Sequence, residues 1–168
     1  LVARRGAPVV RDEVTELLND GGNVNAVVRG DGTPLLVAAR HGRRDLVRLL
    51  LDRGADPNIG VEGDGNPLIM AASRGHRDIV TMLLERGADV NAGVPGDGNA
   101  LIMAGRHGHL DLVTMLLDRG AIIDEVVPGD ENALIPASGA GYLNVVQLLV
   151  GRGANVNARV WAEQGWPD

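Results

Sequence analysis

Apolar residues recur along the chain in two alternating patterns. Val47, Leu50 and Leu51 stand three and four residues apart, and the spacing returns as Val80, Leu83, Leu84, then Val113, Leu116, Leu117, then Val146, Leu149, Val150. Positions so spaced share one face of a helix, so each group predicts a helix with one buried stripe. Ahead of each group lies a shorter apolar run that predicts a short first helix, as in PLLVAAR from Pro34 to Arg40.

Polar residues and glycines mark the boundaries. Thr33, Asn66, Asn99 and Asn132 precede the short runs and are of the types preferred as N-caps. Pro34 and Pro67 follow them, where a first-turn proline is tolerated. Gly42, Gly75, Gly108 and Gly141 close the first helices, and Gly54, Gly87, Gly120 and Gly153 close the second. Asp45, Asp78 and Asp111 begin the second helices and Arg53, Arg86, Arg119 and Arg152 end them, both favourable to the helix dipole. The stretches between pairs, such as ADVNAGVPGDG from Ala88 to Gly98, read as extended fingers that reverse direction.

These elements return at a constant spacing of 33 residues, so that Asp31, Asp64, Asp97 and Asp130 open four copies over 31–63, 64–96, 97–129 and 130–162. Residues 1–30 read as an irregular first copy with three extra residues around GAPVVR, and 163–168 as a tail, making 1–168 a single repeat domain. A period of this length means a stacked array in which each unit touches its neighbours. One finger valine never varies: Val28, Val61, Val94, Val127, Val160. The residue after it does: Arg29, Glu62, Pro95, Pro128, Trp161. A constant apolar residue beside a changing one predicts a packed position next to one free to serve a partner.

Composition narrows the picture. With 45% hydrophobic residues but only 2% aromatic and no Phe, the core must be aliphatic, which suits close helix-on-helix packing. Sixteen basic residues against 22 acidic ones, a net charge of −6, argue against a nucleic-acid partner and favour a protein partner with a basic face. The absence of Cys excludes disulfides and thiolate metal sites and leaves the compartment open, cytoplasmic by default. No apolar run approaches the roughly 20 residues that span a bilayer, so no direct membrane insertion of this segment is expected. No signal-peptide pattern opens the chain, but it begins with Leu1, so targeting or membrane segments could lie in a longer parent.

Catalytic patterns are missing. Ser73 and Ser138 are the only serines, neither lies in GxSxG, and no HExxH or P-loop occurs. His107 and His109 form an HxH, but His109 holds a Gly-His position that His76 also fills, which predicts a turn role. His41 and His107 stand two copies apart, roughly 20 Å at ordinary helix spacing, too far to share an ion. The aspartates that open the copies lie about 10 Å from one another on the same argument and read as turn formers. With Glu62, Glu125 and Glu131 they would make the finger edge acidic. The expectation is no enzyme, no metal and no cofactor.

Several motifs then converge: TPL at Thr33 to Leu35, NPL at Asn66 to Leu68, Gly-His at Gly75 and Gly108, and LLxRGADxN at Leu50 to Asn58 and Leu83 to Asn91. With these the chain resembles the ankyrin-repeat family, strongly from Asp31 to Ala158 and weakly before. The resemblance implies an all-α solenoid of stacked helix-turn-helix units with β-hairpin fingers, whose fingers and first helices line a concave groove that binds other proteins. Two departures stand out. The family's usual His after TPL is replaced by Leu36, Ile69, Ile102 and Ile135, and the finger turn is GDG or GDE. The GDGN style is also similar to ankyrin tails of bacterial sensor-type membrane metallopeptidases, although no protease motif is present.

On the ankyrin register, the middle copies present Arg40, His41, Met70, Arg74, Met103, Arg106 and His107 to the groove, with Glu62, Pro95, Pro128 and Trp161 at the finger tips. Met is adaptable and Arg is enriched at interfaces. The competing reading makes the methionines core filler and the arginines solvated, and, of the two tryptophans Trp161 and Trp166, makes Trp161 a cap over the end of the stack. The function expected is a protein-interaction module. Alternatives are a regulatory or sensor domain of a larger, possibly membrane-bound and extracytoplasmic, peptidase, or a self-assembling structural module.

Overall fold

The computed structural model describes residues 21–27 and 32–158. Among them are eight helices in four pairs: α1 Pro34–Arg40 and α2 Arg44–Asp52, α3 Pro67–Ser73 and α4 Arg77–Glu85, α5 Ala100–Arg106 and α6 Leu110–Asp118, α7 Leu134–Gly139 and α8 Leu143–Gly151. The irregular first copy up to residue 20, Val28, Arg29, Asp31, Val160, Trp161, Trp166 and the 163–168 tail lie outside the described residues.

The first helices start where the cap residues place them. Thr33 Oγ1 accepts a hydrogen bond from the Leu36 amide at 3.1 Å, and Asn66 and Asn99 accept from Ile69 and Ile102 at 2.8 and 2.9 Å, satisfying a donor that the helix leaves orphaned. The side chains of Leu36, Ile69 and Ile102 are fully buried. These three thus serve the core where the family's usual residue is polar.

The helices form two layers. α1, α3, α5 and α7 lie side by side as an inner layer, each backed by the second helix of its own pair. Small residues set the inner spacing: Ala39, Ala72 and Ala104 are fully buried, and a Cβ on Gly105 would sit 3.0 Å from the Ala133 carbonyl oxygen. Between the layers runs one continuous aliphatic core that includes Leu50, Leu83, Leu116 and Leu149. Full burial of one such side chain is worth about 1.5–3 kcal/mol. Among the described residues no helix is long and apolar enough to cross a membrane.

One expectation needs correction. The fingers are not two-stranded hairpins: the described residues show only isolated antiparallel bridges, Val61 with Gly65 and Val94 with Gly98. Each loop reverses within the residues between its bridge partners, and the next helix begins two residues later, which leaves no length for a strand. The fourth inner helix starts one residue later than the others. Asn132 Oδ1 accepts from Ile135 at 3.3 Å in the same relation as the other caps, yet α7 begins at Leu134, behind Ala133 in helical conformation. The first backbone bond of the other inner helices is donated by Val37, Met70 or Met103 to the cap carbonyl; Pro136 stands at that place and has no N–H, so the first bond of α7 runs from Ala137 to Ala133 at 3.4 Å. The loop before it differs too: Gly65 and Gly98 close their loops at φ +73° and +71°, a region that strains a side-chain-bearing residue, and Glu131 at the same place does not enter it.

A side-chain ladder ties the far ends of the second helices together. Asn25, Asn58 and Asn91 accept through Oδ1 from the amides of Asp56, Asp89 and Ile122, 2.8, 2.8 and 2.9 Å away. The amide nitrogens of Asn58 and Asn91 donate to the carbonyls of Gly87 and Gly120 at 3.0 and 3.2 Å, groups that a helix end would otherwise leave to water. Asp124 continues the ladder by accepting from the Asn155 amide at 3.0 Å, but a carboxylate has nothing to donate.

Candidate interaction surface

The inner wall is built from the C-terminal halves of the first helices and the loops beside them. Arg40 of α1 reaches Asp64 at 2.7 Å, and Arg106 of α5 pairs with Asp130, each binding one inner helix to the loop that leads into the next. Ser73 stands at the arginine position of α3, so Asp97 lacks that partner. Asp97 Oδ2 instead accepts from the Gly63 and Gly65 amides of the preceding loop, at 2.8 and 3.2 Å. All three aspartates also donate their own amides to the carbonyl of the loop valine three places back, Val61, Val94 or Val127, at 2.9 Å. They are turn formers, and the acidic edge anticipated at Asp64 and Asp130 is neutralised by arginine.

The pairing at Asp130 is the most enclosed. Its side chain is 5% exposed, and its second oxygen and the amide nitrogen of Asn132 are buried without a hydrogen-bond partner. A Cβ on Gly98 would lie 2.8 Å from that oxygen, so a side chain there would displace the carboxylate.

The loops themselves nest. Val94 and Val127 are buried, and their methyl groups occupy the space where a Cβ on Gly60 or Gly93 would come within 2.7 or 2.6 Å. The Gly96 amide donates to the Pro128 carbonyl at 3.0 Å. Glu62, Pro95 and Pro128 are exposed at the tips, beside the packed valines. Trp161, the corresponding residue of the last copy, lies outside the described residues.

The remaining candidates separate into two groups. Met103 is only 8% exposed and forms a cluster with Ile69 and Val94, against which half-buried Met70 packs. The expectation of an exposed methionine pair is corrected at Met103: its thioether seats the Val94 loop. Arg40 and Arg106 are likewise engaged by carboxylates rather than free. His41, Arg74 and His107 are exposed at the C-caps of α1, α3 and α5, and so form a row along the inner helix ends. His107 Nδ1 lies 2.9 Å from the Met103 carbonyl, and its ring stacks on that of His109 at 6.1 Å between centroids. The sequence gives no sign of the Arg40–Asp64 and Arg106–Asp130 pairings, because they join residues 24 apart across a copy boundary.

The outer layer carries a feature that the repeat pattern hid. An open groove of about 900 Å³ crosses α2, α4 and α6, lined by Arg44, Arg48, Arg77, Met82, Met115 and Arg119 among others. The available signal was disagreement between copies: Arg48 stands where Thr81 and Thr114 do, and Met82 and Met115 where Leu49 and Leu148 do.

A family model of ankyrin repeats, described as three copies, matches residues 3–94 and again 93–160. The chain belongs to the ankyrin-repeat family, whose members are generally protein–protein interaction modules. No curated protein matches it.

Proposed function

We propose that this chain is a non-enzymatic module that holds a protein partner against its inner helix ends and loop tips. The observation that carries this reading is the contrast within each loop. The valine, the aspartate and the following cap residue are buried or bonded, while Glu62, Pro95 and Pro128 differ from copy to copy and face solvent. A surface fixed in this way need not be ordered on binding, so contacts at the tips are not offset by loop entropy.

His41, Arg74 and His107 supply the contacting row on the helix ends, and Glu62, Pro95, Pro128 and Trp161 the tips. Arg40, Met70, Met103 and Arg106 shape the wall from beneath. The net charge of −6 favours a partner face that is basic where it meets Glu62.

A photo-crosslinking amino acid placed at 62, 95 and 128 in turn, in cells of the source organism, tests this. The same protein should be captured from all three positions, and capture should be lost when His41, Arg74 and His107 are changed to alanine together. Capture that is equally efficient from an outer-helix position such as 114, or untouched by the triple change, would overturn it.

A further inference from the structure

We propose that the groove across α2, α4 and α6 is a second binding surface, built for an extended acidic segment of a partner protein. It lies on the outer layer, and the proposal does not depend on the inner-face reading.

The arginines along the groove differ in whether a carboxylate holds them. Arg44, Arg77 and Arg86 are each within ion-pair distance of a carboxylate, Asp78 at 3.4 Å, Asp111 at 3.7 Å and Asp52 at 2.7 Å. Arg48 and Arg119 are exposed and have no ion-pair partner among the described residues. Asp52 receives Arg86 and Asp118 receives Arg152 at the same interval, but the residue opposite Arg119 is Glu85, and no ion pair forms there. A chain with a net charge of −6 thus leaves two guanidinium groups unpaired on one groove.

The floor between them is apolar and adaptable. Met82 and Met115 are half-buried, and the Thr81 hydroxyl lies 3.6 Å from Met115 Sδ. Thioethers accommodate varied apolar side chains, and a guanidinium takes a carboxylate in a two-pronged hydrogen bond. α2 and α6 are two helix spacings apart, roughly 16–20 Å, a distance covered by about five or six residues of extended chain. The fitting occupant therefore carries two carboxylates about five residues apart with an aliphatic side chain between them.

The same residues disfavour nucleic acid. Asp78 and Glu85 also line the groove, and a polyanion would have to lay closely spaced phosphates over both of them. Two spaced carboxylates avoid that repulsion.

The test is fluorescence anisotropy with a labelled peptide of eight residues, carrying Glu at its second and seventh positions and Leu and Met between. The Glu peptide should bind at least roughly tenfold more tightly than its Gln counterpart. The double variant Arg48→Glu/Arg119→Glu, at exposed positions that leave the core untouched, should abolish the preference. Backbone amide shifts should change at Thr81, Met82 and Met115, while the His41, Arg74 and His107 triple alanine variant should bind as the unaltered protein does. Equal binding of Glu and Gln peptides, an unchanged preference in the double variant, or displacement by a labelled oligonucleotide at equal concentration would each overturn the proposal.

Discussion

His109 Nε2 donates to the carbonyl of Ser73, one copy earlier, at 3.0 Å, and its ring lies over Gly75. His76 is placed in the same way 3.3 Å from the Arg40 carbonyl and over Gly42, and the Tyr142 ring covers Gly108. Since the carbonyl can only accept, the proton sits on Nε2 in both histidines. The Gly-His pair is therefore a joint between copies, in which a missing side chain in one receives a ring from the next.

Gly75→Ala should accordingly be costlier than an alanine at a glycine of similar backbone. Gly75 has φ +75° and a Cβ there would meet His109 Cε1 at 2.9 Å, whereas Gly54 has φ +83° and nothing within 4 Å. Both changes pay about 1–2 kcal/mol for the left-handed conformation. Urea unfolding should show a further loss of roughly 1 kcal/mol for Gly75→Ala from overpacking. Equal midpoints for the two variants would mean that the ring contributes nothing to the joint.

Asp124→Asn should stabilise the protein. The change restores a donor at the one ladder step that lacks it, opposite the Gly153 carbonyl, while keeping an acceptor for the Asn155 amide. A solvent-accessible hydrogen bond of this kind is worth about 0.5–1 kcal/mol. Thermal unfolding should shift upward for Asp124→Asn and downward for Asn91→Asp, and a shift of the same sign in both would contradict the ladder.

Arg106→Ala should lose more stability than Arg40→Ala. The carboxylate left behind is Asp130, 5% exposed, in the first case, and the more accessible Asp64 in the second. Breaking a buried pair from one side costs about 3–5 kcal/mol, and the partial exposure of Arg106 lowers that to roughly 2. The double change Arg106→Ala/Asp130→Asn should recover part of the loss in chemical denaturation, because the stranded charge is gone.

Met103→Ala and Arg74→Ala separate packing from surface. Met103 is buried in the seat of the Val94 loop, so its truncation should cost about 2–4 kcal/mol. Arg74 is exposed at a helix end and its loss should stay within about 0.5 kcal/mol. Calorimetry on the two purified variants distinguishes them directly.

The helix pairs were legible because their signals repeat: Thr33 and Asn66 as caps, Gly42 and Gly54 as stops, and Val94 as a packed residue each occur in register. The inner wall was legible only as a set of positions. Whether Met70 or Met103 reaches solvent depends on which loop lies over it, and Val94 covers Met103 through a contact with no local periodicity. The ion pairs Arg40–Asp64 and Arg106–Asp130 escaped for the same reason, since an arginine and an aspartate 24 residues apart look like two unrelated surface charges. The outer groove escaped because helix stripes direct attention to the buried face, and Arg48 and Arg119 are on the other. Pro136 was visible as a departure from Met70 and Met103, but its effect on the start of α7 needed the backbone bonds that those two residues donate to Asn66 and Asn99.

The bonds between copies join equivalent positions, and this makes length a free variable of the design. Were residues 64–96 excised in register, Gly42 would meet His109, Arg40 would meet Asp97, and Asn58 would find the Gly120 carbonyl. The new junction would thus find both halves of each of these fastenings already in place, so the loss of a whole unit in the gene shortens the reach of the protein without asking these residues to change.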